Sequence, residues 1–181
     1  MIIMINGAFG VGKTTVAQKL LTRLENSMLY DPEIVGFMLR AIITEDVKKP
    51  EEKTEDFQDL TLWRELTVDV AKSLVRHYNK NLIVPMTICN QAYFEYIRKG
   101  FQEIDEQTFH FCLIASEQTI HERLRKRGEA EGNWCFQQTK RCVEAFTEPC
   151  FDERIPVDHV NADEVVDTIV ANLTNGRKHC E

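Results

Sequence analysis

The stretch Gly7-Ala8-Phe9-Gly10-Val11-Gly12-Lys13-Thr14 sets three glycines, a lysine and a hydroxyl in the spacing G-x-x-x-x-G-K-[ST]. Each residue type answers a need of polyphosphate binding. Glycines let successive backbone N–H groups turn toward one anion. A lysine at this place reaches the β- and γ-phosphates, and the hydroxyl that follows ligates Mg²⁺. The context fits as well. Ile2 to Ile5 is a short apolar run suited to a buried strand, and Lys13 to Glu25 puts Val16, Ala17, Leu20, Leu21 and Leu24 on one helical face. A helix starting at Lys13 adds the positive end of its dipole to the same anion site. The expectation is that Gly7, Ala8, Phe9, Gly10, Val11, Gly12, Lys13, Thr14 and Thr15 hold ATP, that Lys13 also acts in catalysis, and that Thr14 is the Mg²⁺ ligand.

Other chemistry-bearing residues fall where strands should end. Asp31 directly follows the second strand candidate, Ser27 to Tyr30. Its carboxylate suits a general base for an acceptor hydroxyl or a holder of magnesium-bound water. Followed by Pro32, it also suits a helix N-cap. Arg40 and Arg64 are candidates to bind an anionic group of an acceptor. The third strand candidate ends Ile83-Val84-Pro85-Met86-Thr87 with no acid, so Met86 and Thr87 read as acceptor-pocket residues. That gap shifts any metal role of a carboxylate onto Asp31. Arg123 and Arg127 stand four apart on one helical face, and Arg141 lies on the next helix. With the glycine-containing loop from Gly128 to Asn133 they form an expected lid of about 123–141, whose closure would bring arginines to a transferring phosphoryl group. Val160-Asn161-Ala162-Asp163 is a candidate adenine rim. The five histidines lack metal-ligand spacing and read as surface or packing residues.

These residues need a scaffold, and the hydrophobic pattern supplies one. Helices are expected over Ile34 to Ile43, Phe57 to Asn79, Gln91 to Lys99 (ended by Gly100), Ser116 to Arg127, Asn133 to Phe146 and Ala162 to Leu173. Further strands are expected over Leu82 to Met86, Phe109 to Ala115 and Ile155 to Val160. Thr44 to Asp56, charged and interrupted by Pro50, reads as a mobile connection, and 175–181 as a frayed tail. Strands alternating with helices give a parallel sheet covered on both faces, with ligands at the carboxyl ends of its strands. The fold class is therefore α/β, a three-layer P-loop NTPase fold with a five-stranded parallel sheet and a short lid, in one domain spanning 1–181.

Composition narrows the partners. A formal net charge of -7 argues against nucleic acid. No run approaches the ~20 apolar residues of a membrane span. No basic n-region with an apolar h-region opens the chain, so a cytoplasmic location is expected. The six cysteines form no C-x-x-C pair and read as thiols of a reducing compartment rather than a zinc site. The expected partner is a small-molecule acceptor, with the protein a monomer or homodimer.

A resemblance extends over roughly residues 2 to 160. Ile5-Asn6-Gly7-Ala8-Phe9-Gly10, Tyr30-Asp31-Pro32-Glu33, Gly36-Phe37-Met38-Leu39-Arg40, Leu62-Trp63-Arg64, Ile83-Val84-Pro85-Met86-Thr87-Ile88 and Arg141-Cys142-Val143-Glu144 together resemble the tunicamycin-resistance protein family, within the adenylate-kinase-like small-molecule kinases. The resemblance implies an ATP-binding protein that protects against a nucleoside antibiotic whose uridine and sugars offer hydroxyls. Three functions stay open on the residues alone. One is a phosphotransferase moving the γ-phosphate of ATP to such a hydroxyl. Another is an ATP-dependent protein that only sequesters the antibiotic. The third is a nucleotide kinase of metabolism.

Overall fold

The computed structural model describes residues 1–177. Five parallel strands, β1 (Ile2–Gly7), β2 (Ser27–Leu29), β3 (Asn81–Pro85), β4 (Thr108–Ile114) and β5 (Arg154–Pro156), form one sheet in the order β2-β3-β1-β4-β5. The central strand β1 pairs with β3 through Ile2–Leu82 to Ile5–Pro85, and with β4 through Ile2–Thr108 to Gly7–Leu113. Chain excursions go one way to β2 and β3 and the other way to β4 and β5. The carboxyl end of β1 is thus the switch point, where open parallel sheets leave a crevice.

Alternation along β1 divides the core in two. Ile3 and Ile5 face α1 (Lys13–Arg23) and α7 (Ala162–Arg177), packing with Val16, Leu20, Val166 and Ile169. Ile2 and Met4 face the other layer, which holds α2 (Pro32–Ile42), α3 (Thr61–Tyr78), α4 (Gln91–Ile104), α5 (Glu117–Lys126) and α6 (Trp134–Ala145). There Trp63, Phe94, Phe101 and Phe151 are fully buried. Burying such side chains contributes about 1.5–3 kcal/mol each relative to exposure. The α/β three-layer arrangement is the one expected.

Several local expectations change. Helix α4 does not stop at Gly100 but continues to Ile104. A Cβ at Gly100 would stand 2.6 Å from a Val68 methyl, so this glycine lets α3 and α4 approach closely. The expected helix from Phe57 is a 3₁₀ turn, Phe57–Asp59, followed by α3 from Thr61. The expected mobile connection has its own structure. It contains a 3₁₀ turn at Pro50–Glu52, and the Glu52 carboxylate accepts from the Thr61 amide at 3.0 Å and the Lys49 amide at 3.2 Å. Helix α7 runs past Leu173 to Arg177, so 175–177 of the expected tail are helical. The remainder, 178–181, lies outside the described residues. Among the described residues no helix is long and apolar enough to cross a membrane.

Candidate active site

Two cavities open at the carboxyl edge of the sheet. The first, about 660 Å³, is walled by Phe9, Gly10, Val11, Gly12, Lys13, Thr14 and Thr15 of the loop after β1. Gly10 and Gly12 adopt φ of 79° and 113°, the left-handed region that favours glycine. No side chain caps the N-terminus of α1. Its first-turn N–H groups, which have no partner inside the helix, therefore remain for an anion. Gly7 and Ala8 shape this loop from behind rather than lining it. A Cβ at Gly7 would meet the Leu113 carbonyl at 2.7 Å. The Ala8 carbonyl accepts from Lys13 Nζ at 2.9 Å. Burial lowers the Lys13 pKa, an effect that the negative charge of Glu33 opposes.

Thr14 and Asp31 share the wall of this cavity. A hydroxyl and a carboxylate are the hard oxygen donors that Mg²⁺ takes, with water completing the shell. Asp31 also caps α2, its Oδ1 accepting from the Glu33 amide at 2.9 Å. The two roles weighed for Asp31 are therefore geometrically compatible. Val160, Asn161 and Ala162 form part of the same wall. Asp163 instead pairs with Lys19 at 2.7 Å.

The second cavity, about 790 Å³, lies between α2, the 3₁₀ turn at Phe57–Asp59, the segment after β3, and α6. Aromatic faces (Phe37, Phe57, Tyr93, Trp134) alternate with Arg40, Asp56, Gln58, Thr87 and Arg141. Arg40 donates to the Glu55 carbonyl, and its guanidinium sits 5.1 Å from the Phe57 ring. Burial raises the Asp56 pKa, while its hydrogen bond from the Gln58 amide lowers it and Arg141 and Arg40 stand as nearby counter-charges. Gln58 Nε2 donates to the Thr87 carbonyl at 2.7 Å, fixing the floor.

Two expected acceptor residues do not reach this cavity. Met86 is 2% exposed and belongs to the core, because strand alternation turns it inward. Arg64 stands behind the wall: its Nη1 donates to the Gln58 carbonyl at 2.9 Å, and its guanidinium lies 4.2 Å from the Tyr93 ring. The arginines of the expected lid diverge. Arg123 braces the site, donating to the Val11 carbonyl at 2.7 Å and the Val157 carbonyl at 2.6 Å. Arg127 pairs with Glu129 at 2.6 Å and lines both cavities. Arg141 lines only the second.

Phe9, Glu33 and Arg127 belong to both walls, so the cavities meet at these three side chains. Among the described residues, Glu33 is the one carboxylate that both cavities share. Burial raises its pKa, an effect that Lys13 opposes and Asp31 reinforces. The sequence offers Asp31 as a base or a holder of magnesium-bound water, and Glu33 is a further candidate that it does not single out. The available signal was helical geometry: with Asp31 as cap, Glu33 falls in the first turn of α2, beside the phosphate site. Asn6 was also missed. Fully buried, it accepts from the Gly7 and Ile88 amides and donates to the Ile88 carbonyl.

Comparisons with known proteins bear on the family and the fold. A family model described as an AAA domain matches residues 2–149. The tunicamycin resistance protein of Deinococcus radiodurans is similar in structure, with a TM-score of 0.77 and 29% identity over 95% of this chain and 94% of that one. A gluconokinase of Sinorhizobium meliloti 1021 gives a TM-score of 0.67 at 15% identity, covering 98% and 94%. A shikimate kinase of Acinetobacter baumannii, in complex with shikimate, gives 0.62 at 13% identity, covering 97% and 93%. The last two share the P-loop kinase fold with this chain. A search of curated proteins finds no match.

Proposed function

Because the chain belongs to the AAA domain family and has a P-loop kinase fold, we propose that it is an ATP- and Mg²⁺-dependent phosphotransferase acting on a hydroxyl of a nucleoside-like antibiotic. The observation that carries this reading is the junction of the two cavities at Phe9, Glu33 and Arg127. A transferase needs donor phosphate and acceptor hydroxyl to meet in line, beside a group that takes the proton.

When bound, ATP would supply the γ-phosphoryl group and Mg²⁺ would neutralise part of its charge. The first-turn amides of α1 would hold phosphate oxygens, and Thr14 and Asp31 would hold the metal. Lys13 exchanges its bond to the Ala8 carbonyl for phosphate oxygens. Glu33 accepts the hydroxyl proton as the acceptor oxygen bonds to phosphorus and the bond to the ADP oxygen breaks. Its raised pKa makes it a stronger base than an exposed carboxylate. Arg127 turns from Glu129 toward the charge that develops between the cavities. Arg123 holds the loop in place through the Val11 carbonyl.

The second cavity has the chemistry of a nucleoside-sugar acceptor. Its rings can stack on a base, and Arg40, Asp56, Gln58 and Arg141 can bond to hydroxyls and carbonyls. Structural similarity to the Deinococcus radiodurans tunicamycin resistance protein makes that antibiotic the first acceptor to test. The decisive measurement is mass spectrometry of tunicamycin incubated with the protein and ATP·Mg²⁺. A product heavier by one phosphoryl group, absent with Lys13→Ala, is expected. Binding that ATP strengthens, with no such product, would mean sequestration instead.

A further inference from the structure

Cys89, in the segment between β3 and α4, and Cys142, on α6, face each other in the wall of the second cavity. Cys89 Sγ stands 2.7 Å from Cys142 Sγ, donating its thiol hydrogen. Non-bonded heavy atoms ordinarily sit ~3.5–4.0 Å apart. The sulfurs therefore need approach by only ~0.7 Å to reach the ~2.05 Å of a disulfide. No other cysteine pair among the described residues makes such a contact.

We propose that Cys89 and Cys142 form a thiol–disulfide exchange site that a small-molecule disulfide oxidises to an intramolecular bridge. The exchange runs in two steps. The Cys142 thiolate attacks one sulfur of the oxidant R–S–S–R, forming a mixed disulfide and releasing one thiolate RS⁻. Cys89 then gives up its proton and attacks the Cys142 sulfur, expelling the second RS⁻. The net change is two protein thiols oxidised, one external disulfide reduced, and two RSH formed.

The surroundings favour this order. The Cys89 thiol hydrogen stabilises Cys142 as thiolate, with Lys13 and Arg141 adding positive charge, so its pKa is lowered despite burial. The same contact pushes the Cys89 pKa up, making it the second to react. Burial pushes Cys112 up to about 12, and Cys135 and Cys150 are also raised. Among the described cysteines, Cys142 is the one whose pKa is lowered, the direction that favours a thiolate. Both cysteines belong to the cavity wall, Cys89 half-buried and Cys142 1% exposed, so the oxidant reaches Cys142 from the cavity side as that wall opens.

The bridge would join α6 to the segment after β3 across 53 residues. The helix carrying Arg141 would then be held at the acceptor cavity. This holds whichever acceptor the cavity takes, and it survives failure of the kinase reading.

The test equilibrates the full, reduced chain with oxidised glutathione, blocks remaining thiols with iodoacetamide and maps the peptides without reductant. Before alkylation, we expect an intact mass lower by about 2 Da than that of the reduced chain, the two hydrogens lost on bridging. We also expect one linked peptide pair joining Cys89 to Cys142, reversed by dithiothreitol. The link should be absent in Cys89→Ser and retained in Cys150→Ser. Hydrogen exchange in α6 should slow in the oxidised form. If the oxidised wild-type chain yields no Cys89–Cys142 peptide, or both thiols remain fully alkylated, the exchange site does not exist. A link that forms equally with Cys150 would overturn the assignment too.

Discussion

Asn6 and Ile88 hold each other by two hydrogen bonds of 3.0 Å, Asn6 Nδ2 donating to the Ile88 carbonyl and the Ile88 amide donating to Asn6 Oδ1. The pair locks the end of β1, where the phosphate loop begins, to the segment that carries Thr87 and Cys89 into the acceptor cavity. Donor and acceptor sites are thereby referenced to one buried amide. Asn6→Leu should cost about 2–4 kcal/mol, because several buried backbone groups lose their partner. Urea unfolding followed by circular dichroism measures this, and a loss below 1 kcal/mol would contradict the role.

Lys13→Ala separates binding from stability. The ammonium is buried and its pKa is lowered by that burial, so its removal does not need to destabilise the fold. A charge-assisted bond to phosphate is worth about 1.5–3 kcal/mol, which corresponds to roughly tenfold or more in ATP affinity. Calorimetric titration with ATP·Mg²⁺ should show that loss while the thermal midpoint without nucleotide stays level or rises.

The two acids at the start of α2 should respond differently. Glu33→Gln keeps size and removes the base, so kcat should fall by about 10²–10⁴-fold with ATP affinity nearly unchanged. Asp31→Asn weakens the metal site and should be partly rescued by raised Mg²⁺. Because burial raises the Glu33 pKa, kcat should climb with pH through a carboxylate ionisation lying above the ordinary range. Equal losses in both variants, with no Mg²⁺ rescue, would remove the division of labour.

Gly36 bears directly on the acceptor cavity. A Cβ there would stand 2.4 Å from the Phe57 ring. That ring cannot retreat freely, being 5.6 Å from Trp63 and 5.8 Å from Phe37. Gly36→Ala should cost about 1–3 kcal/mol through overpacking. It should also raise the acceptor KM more than the ATP KM, which steady-state kinetics would resolve.

His110 sets a pH dependence of stability. It is 4% exposed, 4.5 Å from the Phe94 ring, and its pKa falls to about 4, chiefly through burial and then through Arg98, against the pull of Asp152. A histidine whose folded pKa is depressed binds its proton more readily in the unfolded chain. Its contribution is complete above the unfolded value, ~6.5, and is lost as pH falls toward 4. The loss amounts to about 3 kcal/mol at most. Thermal midpoints of the wild type should drop between pH 7 and pH 4.5, and His110→Leu should flatten that drop.

The phosphate loop was legible because its parts are contiguous. Three glycines, Lys13 and Thr14 fall within eight residues, between an apolar strand and an amphipathic helix. The parallel α/β sheet followed from strands and helices in alternation. The acceptor cavity was harder because α2, the Phe57 turn, the segment after β3 and α6 each contribute only a few side chains. Thr87 could be placed from the end of a strand. Met86 could not, since the direction of its side chain depends on which layer covers it. Gly100 looked like a helix stop because its actual reason, a Val68 methyl on another helix, has no local trace. The Cys89–Cys142 contact has none either, the partners being 53 residues apart.

One face of β1 is completed by α7, where Val165, Val166, Ile169 and Leu173 close over Ile3 and Ile5. In vectorial synthesis the phosphate loop leaves the ribosome well before the helix that supports it, about 150 residues further on. A nascent chain stalled before residue 162 would therefore expose isoleucines beside the loop and wait for α7 before holding a ligand firmly.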